Sequence, residues 1–143
     1  MVNRTKNNIK NGTGLKSIRE NPVLIHQGKV IANKVHILKS EAEKVRGLIL
    51  RKEPRLDEIF LFVFRKSKRW AFHMWFMRYP IDIMWLDENF VIVDIIEGFK
   101  PFKYWKPKKQ SKYVIESRKG FIKKNKIKIG DFLTLRLNNS FAV

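Results

Sequence analysis

Residues 72–87, FHMWFMRYPIDIMWLD, decide the fold of this chain. They lie within a longer stretch, 59–96, in which 25 of 38 residues are apolar or aromatic. Because the links inside this stretch have hairpin length, we predict antiparallel strands there. Ile59–Phe64 is apolar at both alternating positions, so both of its faces should be covered. The four strands predicted in the stretch are Ile59–Phe64, Trp70–Met77, Ile81–Leu86 and Val91–Ile96.

The segment before this stretch also carries strand and helix signals. Val23–Ile25 and Val30–Ile31 flank a Gln27-Gly28 turn, which indicates a hairpin, and Val35–Leu38 resembles another strand. The run from Ser40 to Glu43 is a capping box, in which each side chain satisfies a backbone N–H of the other residue. The helix that follows should be short, because Gly47 stands where a left-handed residue would end it.

The segment after the stretch completes the prediction of a mainly β fold. We predict a strand at Tyr113–Glu116, a helix at Ser117–Asn125 and a last strand at Asp131–Leu137. The expected architecture is an antiparallel β sandwich or barrel-like domain with two short α-helices. We expect residues 20–143 to form this single domain and residues 1–19 to form a flexible basic tail.

Composition excludes several classes of protein. The 143 residues include no cysteine, which rules out a disulfide framework, a thiolate zinc site and a cysteine nucleophile. The longest apolar run is Ile59–Phe64, far too short to cross a bilayer, and no signal peptide is recognisable. We expect a cytoplasmic protein without a membrane partner, a metal ion or a cofactor.

The positive charge is concentrated in one block of the chain. The net charge is +18, and residues 98–128 contribute +11 of it, with twelve Lys/Arg against Glu116. Lysines neutralise phosphates and aromatic faces stack on unpaired bases, so the block predicts an anionic partner such as nucleic acid. In the alternative interpretation the aromatic residues pack the loop and the lysines only face water, as in a lysine-rich proteome. The candidate contacts are Lys100, Lys103, Tyr104, Trp105, Lys106, Lys108, Lys109 and Lys112, which Lys123, Lys124, Lys126 and Lys128 would extend.

Seven segments in order give the chain a resemblance to the prokaryotic "domain of unknown function 192" family over about residues 29–137. They are VRGLILR (45–51), IFLFVF (59–64), 72–87, Lys100-Pro101, YVIES (113–117), Gly120-Phe121 and IKIGD (127–131). The resemblance implies a compact, mainly β fold with two short helices, and it implies no activity. The run from Phe72 to Met77 bears a histidine where many members read Phe-Trp-Met-Lys, so it resembles a histidine-bearing, archaeal branch.

Three polar residues within these segments are candidates for a pocket. His73 and Asp82 interrupt the most apolar segment, and a predicted turn at Arg78-Tyr79-Pro80 would bring them together across a hairpin. With Arg46 they could form an acid–base or ligand-orienting site. In the structural interpretation Asp82 accepts backbone amides beside Pro80, His73 is a satisfied residue, and Arg46 pairs with Asp82 or caps helix carbonyls.

The sequence therefore leaves three functions open. We expect a non-enzymatic binding module for an anionic partner, with an enzyme or small-molecule-binding protein that uses His73, Asp82 and Arg46 as the alternative. A homodimer formed through surplus apolar surface of residues 59–96 is the third. An exposed Trp105 among lysines would favour the first function, whereas a buried one would favour simple packing.

Overall fold

The computed structural model describes residues 21–49, 51–137 and, for the backbone, 140–142; the expected tail at 1–19 lies outside this range. Strands and helices in the described residues follow the predicted mainly β class. In chain order they are β1 (Val23–His26), β2 (Lys29–Ala32), β3 (Lys34–Leu38), α1 (Glu41–Arg46), β4 (Glu58–Lys68), β5 (Phe72–His73), β6 (Ile81–Leu86), β7 (Ile92–Phe99), β8 (Tyr104–Trp105), β9 (Ser111–Arg118), α2 (Phe121–Lys124), β10 (Thr134–Leu137) and β11 (Ser140–Ala142).

The strands form two larger sheets and a ribbon. The large sheet has the order β3-β4-β9-β6-β7, the small sheet has the order β11-β10-β1-β2, and β5 pairs with β8 in the ribbon. The sheets of the described residues do not close into a barrel, so the architecture is sandwich-like.

One pair of strands departs from the antiparallel prediction. β3 and β4 are parallel, with His36 opposite Phe60. The chain between them, residues 39–57, contains α1, and a connection of this length can return to the same end of the sheet as a hairpin cannot. This edge pair is the one parallel pair among the described strands of the predicted antiparallel architecture.

Both faces of the large sheet are covered, as the sequence of β4 predicted. Ile59 and Leu61 pack in a first cluster with residues of the small sheet and α2. Phe60, Phe62 and Phe64 alternate with them and pack in a second cluster on the opposite face. Residues after α1, the ribbon and the loop that follows β5 cover this second cluster. The molecule thus has a layer on each side of the large sheet.

The predicted strand Trp70–Met77 is wrong except at its centre. Only Phe72 and His73 form a strand, and they pair with β8 rather than with β6. The Met74 N–H donates to the carbonyl of Lys103, and the Phe102 N–H donates to the carbonyl of Met74. Because the apolar side chains of this segment cover the second cluster, the segment lies over the sheet instead of extending it.

Other boundaries also differ from the prediction: β4, β7 and β9 extend beyond the predicted strands, to Lys68, Phe99 and Arg118. The predicted helix Ser117–Asn125 is reduced to Phe121–Lys124, because Ser117 still pairs with Asp82 at the end of β9. β10 begins at Thr134 rather than at Asp131. Within the described residues no helix is long and apolar enough to cross a membrane.

Candidate functional site

Asp82 is a buried anchor for α2. Its Oδ1 accepts a hydrogen bond from the Gly98 N–H at 2.8 Å. Its Oδ2 accepts from the Gly120 and Ile122 N–H groups, each at 3.0 Å, at the start of α2. The carboxylate therefore binds three backbone amides, although none of them lies beside Pro80.

The structure separates Asp82 from His73 for two reasons. In β6 the side chain of Asp82 points to the face that carries α2, whereas that of Ile83 points to the second cluster. His73 lies over the second cluster in the ribbon, opposite Tyr104. The hairpin that would have joined His73 to Asp82 is absent, because β6 has β7 and β9 as its neighbours.

Arg46 and His73 do come together, at a cavity of about 370 Å³ on the second-cluster face. Arg46 is the last residue of α1, and His73 is exposed at the end of β5. Three parts of the chain enclose the cavity: α1 and the residues after it, the large sheet, and the segment 70–77. Asp82 is not among its lining residues. The structure thus brings together two of the three pocket candidates.

Aromatic side chains form one part of the cavity wall. Phe64 stacks on Trp70 with ring centroids 3.9 Å apart, and Phe62 meets Phe72 edge to face at 5.2 Å. All four rings line the cavity. A wall of this kind favours an apolar, planar group in the cavity.

Glu116 places a carboxyl group in this apolar wall. It lies in β9, between Phe60 of β4 and Ile83 of β6, and it is 6% exposed. Its Oε2 atom is buried and has no hydrogen-bond partner among the described residues. It is also the only acid that lines the described cavity. Buried polar atoms without partners are rare in folded proteins, so this one marks a candidate binding site.

Burial raises the pKa of the Glu116 carboxyl group to about 8. A backbone N–H of Leu48 and the charge of Arg51 act in the opposite direction and only partly offset the loss of solvation. The carboxyl group is therefore mainly neutral at pH 7. A neutral carboxylic acid has an O–H that can donate a hydrogen bond into the cavity.

Gly47 allows the chain to pass close to this carboxyl group. The φ angle of Gly47 is +43°. A Cβ atom at this position would lie 2.9 Å from Cζ of Phe62 and 3.2 Å from Oε2 of Glu116. A residue with a side chain would both strain the backbone and push into the cavity wall.

Sequence reasoning missed Glu116 as a site residue, although a signal for it was present. Glu116 shares its strand face with Val114, so the alternation that predicts a buried face also predicts a buried acid there. Four of the seven segments that carry the family resemblance supply residues of the cavity lining: 45–51, 59–64, 72–87 and 113–117.

Residues 98–112, which include β8 of the ribbon, form the basic aromatic loop. Phe102 is 68% exposed, Tyr104 60% and Trp105 40%. The indole N–H of Trp105 donates to Oδ2 of Asp94 at 3.1 Å, which fixes the orientation of the ring. Its lysines Lys100, Lys103, Lys106, Lys108 and Lys109 are exposed, and Lys112 is half-buried at the start of β9.

The four lysines expected to extend this surface lie elsewhere. Lys123 and Lys124 belong to α2, and Lys126 and Lys128 follow it. Since α2 packs into the first cluster, it covers the opposite face of the large sheet. In the described parts of the chain, no three histidine or acidic side chains are grouped so that they could hold a metal ion.

The fold and the cavity define a class of small, sandwich-like β proteins with a ligand-sized cavity between the central sheet and a helix-and-ribbon cover. The chain belongs to the domain of unknown function 192 family, described as "Uncharacterized ACR", whose model matches residues 23–135.

Similar proteins agree with this assignment. The UPF0127 protein PF1050 of Pyrococcus furiosus is 31% identical over 109 residues, which cover 76% of this chain and 92% of that protein. The UPF0127 protein TK1120 of Thermococcus kodakarensis is 32% identical over 111 residues, covering 76% and 68%. A crystal structure of a protein of unknown function from Novosphingobium aromaticivorans has a TM-score of 0.70 at 19% identity, covering 78% of this chain and 81% of that one. These archaeal relatives and this structure support the family and the fold.

Proposed function

We propose that this protein binds a small, mainly apolar molecule in the cavity and that Glu116 donates a hydrogen bond to it. The observation that carries this proposal is the buried Oε2 of Glu116, which has no partner among the described residues. Leaving a buried polar group unpaired costs about 1–3 kcal/mol. A ligand with an acceptor atom, such as a carbonyl oxygen or a ring nitrogen, would remove that cost.

The residues of the described cavity favour binding over catalysis. Its lining includes no serine, threonine, cysteine or aspartate. Lys44 is the one lining amine, and its Nζ atom is paired with Oε1 of Glu41 at 3.0 Å. A nucleophile next to a general base is the usual mark of covalent catalysis, and the lining supplies no such pair. An apolar wall with a few polar side chains is typical of a binding site.

Titration with prodan, a fluorescent naphthalene ketone, tests the proposal. We expect saturable 1:1 binding with a blue-shifted emission, because the aromatic wall would take the rings and Glu116 would bond the ketone oxygen. Glu116→Gln should bind prodan with similar affinity, since the amide N–H is still a donor. Glu116→Met should bind about tenfold more weakly, which corresponds to one lost hydrogen bond of about 1.4 kcal/mol.

Glu97→Gln is the matched control, because Glu97 is exposed in β7 and does not line the cavity. It should bind prodan as the unchanged protein does. Absence of saturable binding, or equal affinity in the Met and Gln variants at position 116, would contradict the proposal.

Binding of single-stranded nucleic acid by the basic aromatic loop is a second candidate function. It is supported by the exposure of Trp105 and its two aromatic neighbours among exposed lysines. Exposed rings can stack on bases while the lysines displace counterions from phosphates. A buried, loop-packing indole would not offer this surface.

Fluorescence titration of a labelled twelve-nucleotide RNA at several salt concentrations tests this function. For single strands the logarithm of affinity should fall with the logarithm of salt by about 0.7 for each phosphate neutralised. Lys106→Gln should reduce that slope, whereas Lys29→Gln, which removes an exposed charge from the small sheet, should not. A flat salt response would eliminate this candidate.

The homodimer remains a prediction. The apolar residues of 59–96 on which it depended are largely buried within the chain, and Trp75 and Phe76 are the strongly exposed large apolar residues there. Light scattering distinguishes a 17.1 kDa monomer from a species of twice that mass. The monomer alone would exclude the dimer.

A further inference from the structure

Arg46 stands where the cavity meets a second, more open recess. This recess has a volume of about 580 Å³ and lies beside β3 and β4. Arg46 lines both spaces, and its side chain is exposed. A molecule whose body occupied the cavity could therefore extend one group past Arg46 into the recess.

The second recess is basic. Its lining holds five Lys/Arg side chains against two glutamates. Because this excess lies on a concave surface, it attracts anions more strongly than the same charges spread over a flat one. We call this space the basic recess; its positive side chains are Lys34, Arg46, Arg51, Lys52 and Arg55.

Both glutamates of the basic recess already have partners. Glu58 accepts from Nζ of Lys34 at 3.2 Å and contacts Nε2 of His36 at 2.7 Å. Glu53 lies 3.5 Å from Nε of Arg118. The acids are therefore engaged by other cations, and neither is paired with Arg46.

The remaining cations of the basic recess differ in how they are used. Arg55 pairs with Asp57 at 3.1 Å, and Nε of Arg51 donates to the carbonyl of Gly47 at 2.6 Å. Arg46 and Lys52 have no ion pair among the described residues. Two positive side chains of the recess are thus available to a ligand.

The cavity itself offers no competing negative charge at neutral pH. Its only acid among the described lining residues is Glu116, which burial keeps mainly protonated. Lys44 is paired with Glu41, and its Nζ atom lies 4.8 Å from the centre of the Phe64 ring. Arg46 is therefore the lining cation without an ion pair, and it stands at the boundary between the two spaces.

We infer that the ligand of this cavity carries one anionic group, a carboxylate, sulfonate or phosphate, which Arg46 binds at the edge of the basic recess while the apolar body lies against the aromatic wall. A guanidinium group suits this role, because its paired N–H donors match the oxygens of such anions. Lys52 adds a second positive charge to the same recess. This inference rests on the proposed function and adds an anionic group to the mainly apolar ligand proposed there.

Two dyes that differ by one charged group test the inference. N-phenyl-1-naphthylamine is neutral, and 1-anilinonaphthalene-8-sulfonate has the same ring system with an added sulfonate. We expect the sulfonate dye to bind about fivefold more tightly, as a partly exposed charge pair allows. Arg46→Gln should abolish this preference, so that the two dyes bind with equal affinity.

Lys106→Gln is the matched control, since Lys106 is an exposed cation of the basic aromatic loop that lines neither the cavity nor the basic recess. It should preserve the preference for the sulfonate dye. If the control lowers the preference as much as Arg46→Gln does, the preference reflects general surface charge and the inference is overturned.

The dyes also separate failure of the inference from failure of the proposed function. Saturable binding of both dyes with equal affinity would overturn the inference that the ligand carries an anionic group, but it would still support an apolar binding site in the cavity. Saturable binding of neither dye would overturn the cavity site and the inference together.

Discussion

The cavity and the basic aromatic loop each include one strand of the ribbon and use similar residue types in opposite ways. β5 contributes Phe72 and His73 to the cavity, whereas β8 contributes Tyr104 and Trp105 to the loop. Around the cavity most rings are buried or half-buried, and the single lining acid is mainly protonated at pH 7. In the loop, three of the four aromatic rings and most of the lysines are exposed.

This difference shows how burial decides what a polar group does. A carboxyl group without solvent loses its charge and becomes a directional donor. A lysine in water keeps its charge, but salt screens it over about 8 Å at physiological ionic strength. The cavity should therefore respond strongly to single substitutions and to pH, whereas the loop should respond to salt and only weakly to single substitutions.

The largest expected effect is the pH dependence that Glu116 adds to stability. Its pKa is about 8 in the folded protein against an ordinary value of 4.5, so the folded state keeps a proton that the unfolded state releases. The contribution is complete below pH 4.5 and is lost as the pH rises through 8. The slope of the free energy of unfolding should reach about 1.4 kcal/mol per pH unit in this window.

Glu116→Gln should remove this slope, because an amide does not titrate. Urea unfolding from pH 5 to 9 should show that the variant is more stable than the unchanged protein at pH 9 by several kcal/mol. This difference is about the free energy of unfolding that the unchanged protein loses when Glu116 ionises. Glu97→Gln, which changes the exposed acid of β7, should keep the original slope. Parallel pH profiles for both variants and the unchanged protein would show that Glu116 is not protonated in the fold.

The next largest effect concerns the close approach behind the cavity. Gly47→Ala should lower the free energy of unfolding by about 3 kcal/mol, because the methyl group meets Phe62 and the backbone is strained. Gly28→Ala has a similar positive φ of +75° but open space around its Cβ position. Its loss should be about 1 kcal/mol. Equal losses of the free energy of unfolding in the two variants would mean that Phe62 and Glu116 move aside for the added methyl group at little cost.

Asp82 provides an intermediate effect that separates the two faces of the large sheet. Asp82→Asn should destabilise the protein by about 2 kcal/mol, since one acceptor of backbone amides is replaced by a donor. Prodan binding to the folded variant should be unchanged, because Asp82 faces α2 and not the cavity. A weakened affinity without loss of fold would place Asp82 in the binding site after all.

The smallest effect on stability is expected in the basic aromatic loop. Lys106→Gln and Tyr104→Leu should each change the free energy of unfolding by less than about 0.5 kcal/mol, because both side chains are exposed. Tyr104→Leu should weaken binding of the twelve-nucleotide RNA, since one stacking surface is lost. A large drop in thermal stability for either variant would show that the loop is packed against the protein, contrary to the contrast drawn between the buried cavity and the exposed loop.

The local features of this fold could be read from neighbouring residues. The capping box of Ser40 and Glu43 starts α1, with the Glu43 N–H donating to Oγ of Ser40 at 3.2 Å. β6 has the bounds Ile81–Leu86 that its apolar run predicted. Such features depend on spacing over a few residues, which the sequence displays directly.

The pairing of distant segments could not be read in this way. β5 follows β4 in the chain, yet it pairs with β8, and β9 enters between β4 and β6. The pairing that we predicted for Trp70–Met77 from its hairpin-length link was therefore wrong. The predicted site of His73 with Asp82 depended on that pairing. Sheet order depends on which faces can be covered together, a property of the whole chain.

By itself the sequence determined the family, the mainly β class, the two covered faces of Ile59–Phe64 and the basic block at 98–128. Only the tertiary structure decided that Glu116, and not Asp82, meets Arg46 and His73 at a cavity. The physical reason is that alternation along a strand assigns a residue to one of two faces, but the protonation and partners of a carboxyl group depend on what covers that face. Asp82 meets the amides of α2, whereas Glu116 meets aromatic rings and a close backbone at Gly47.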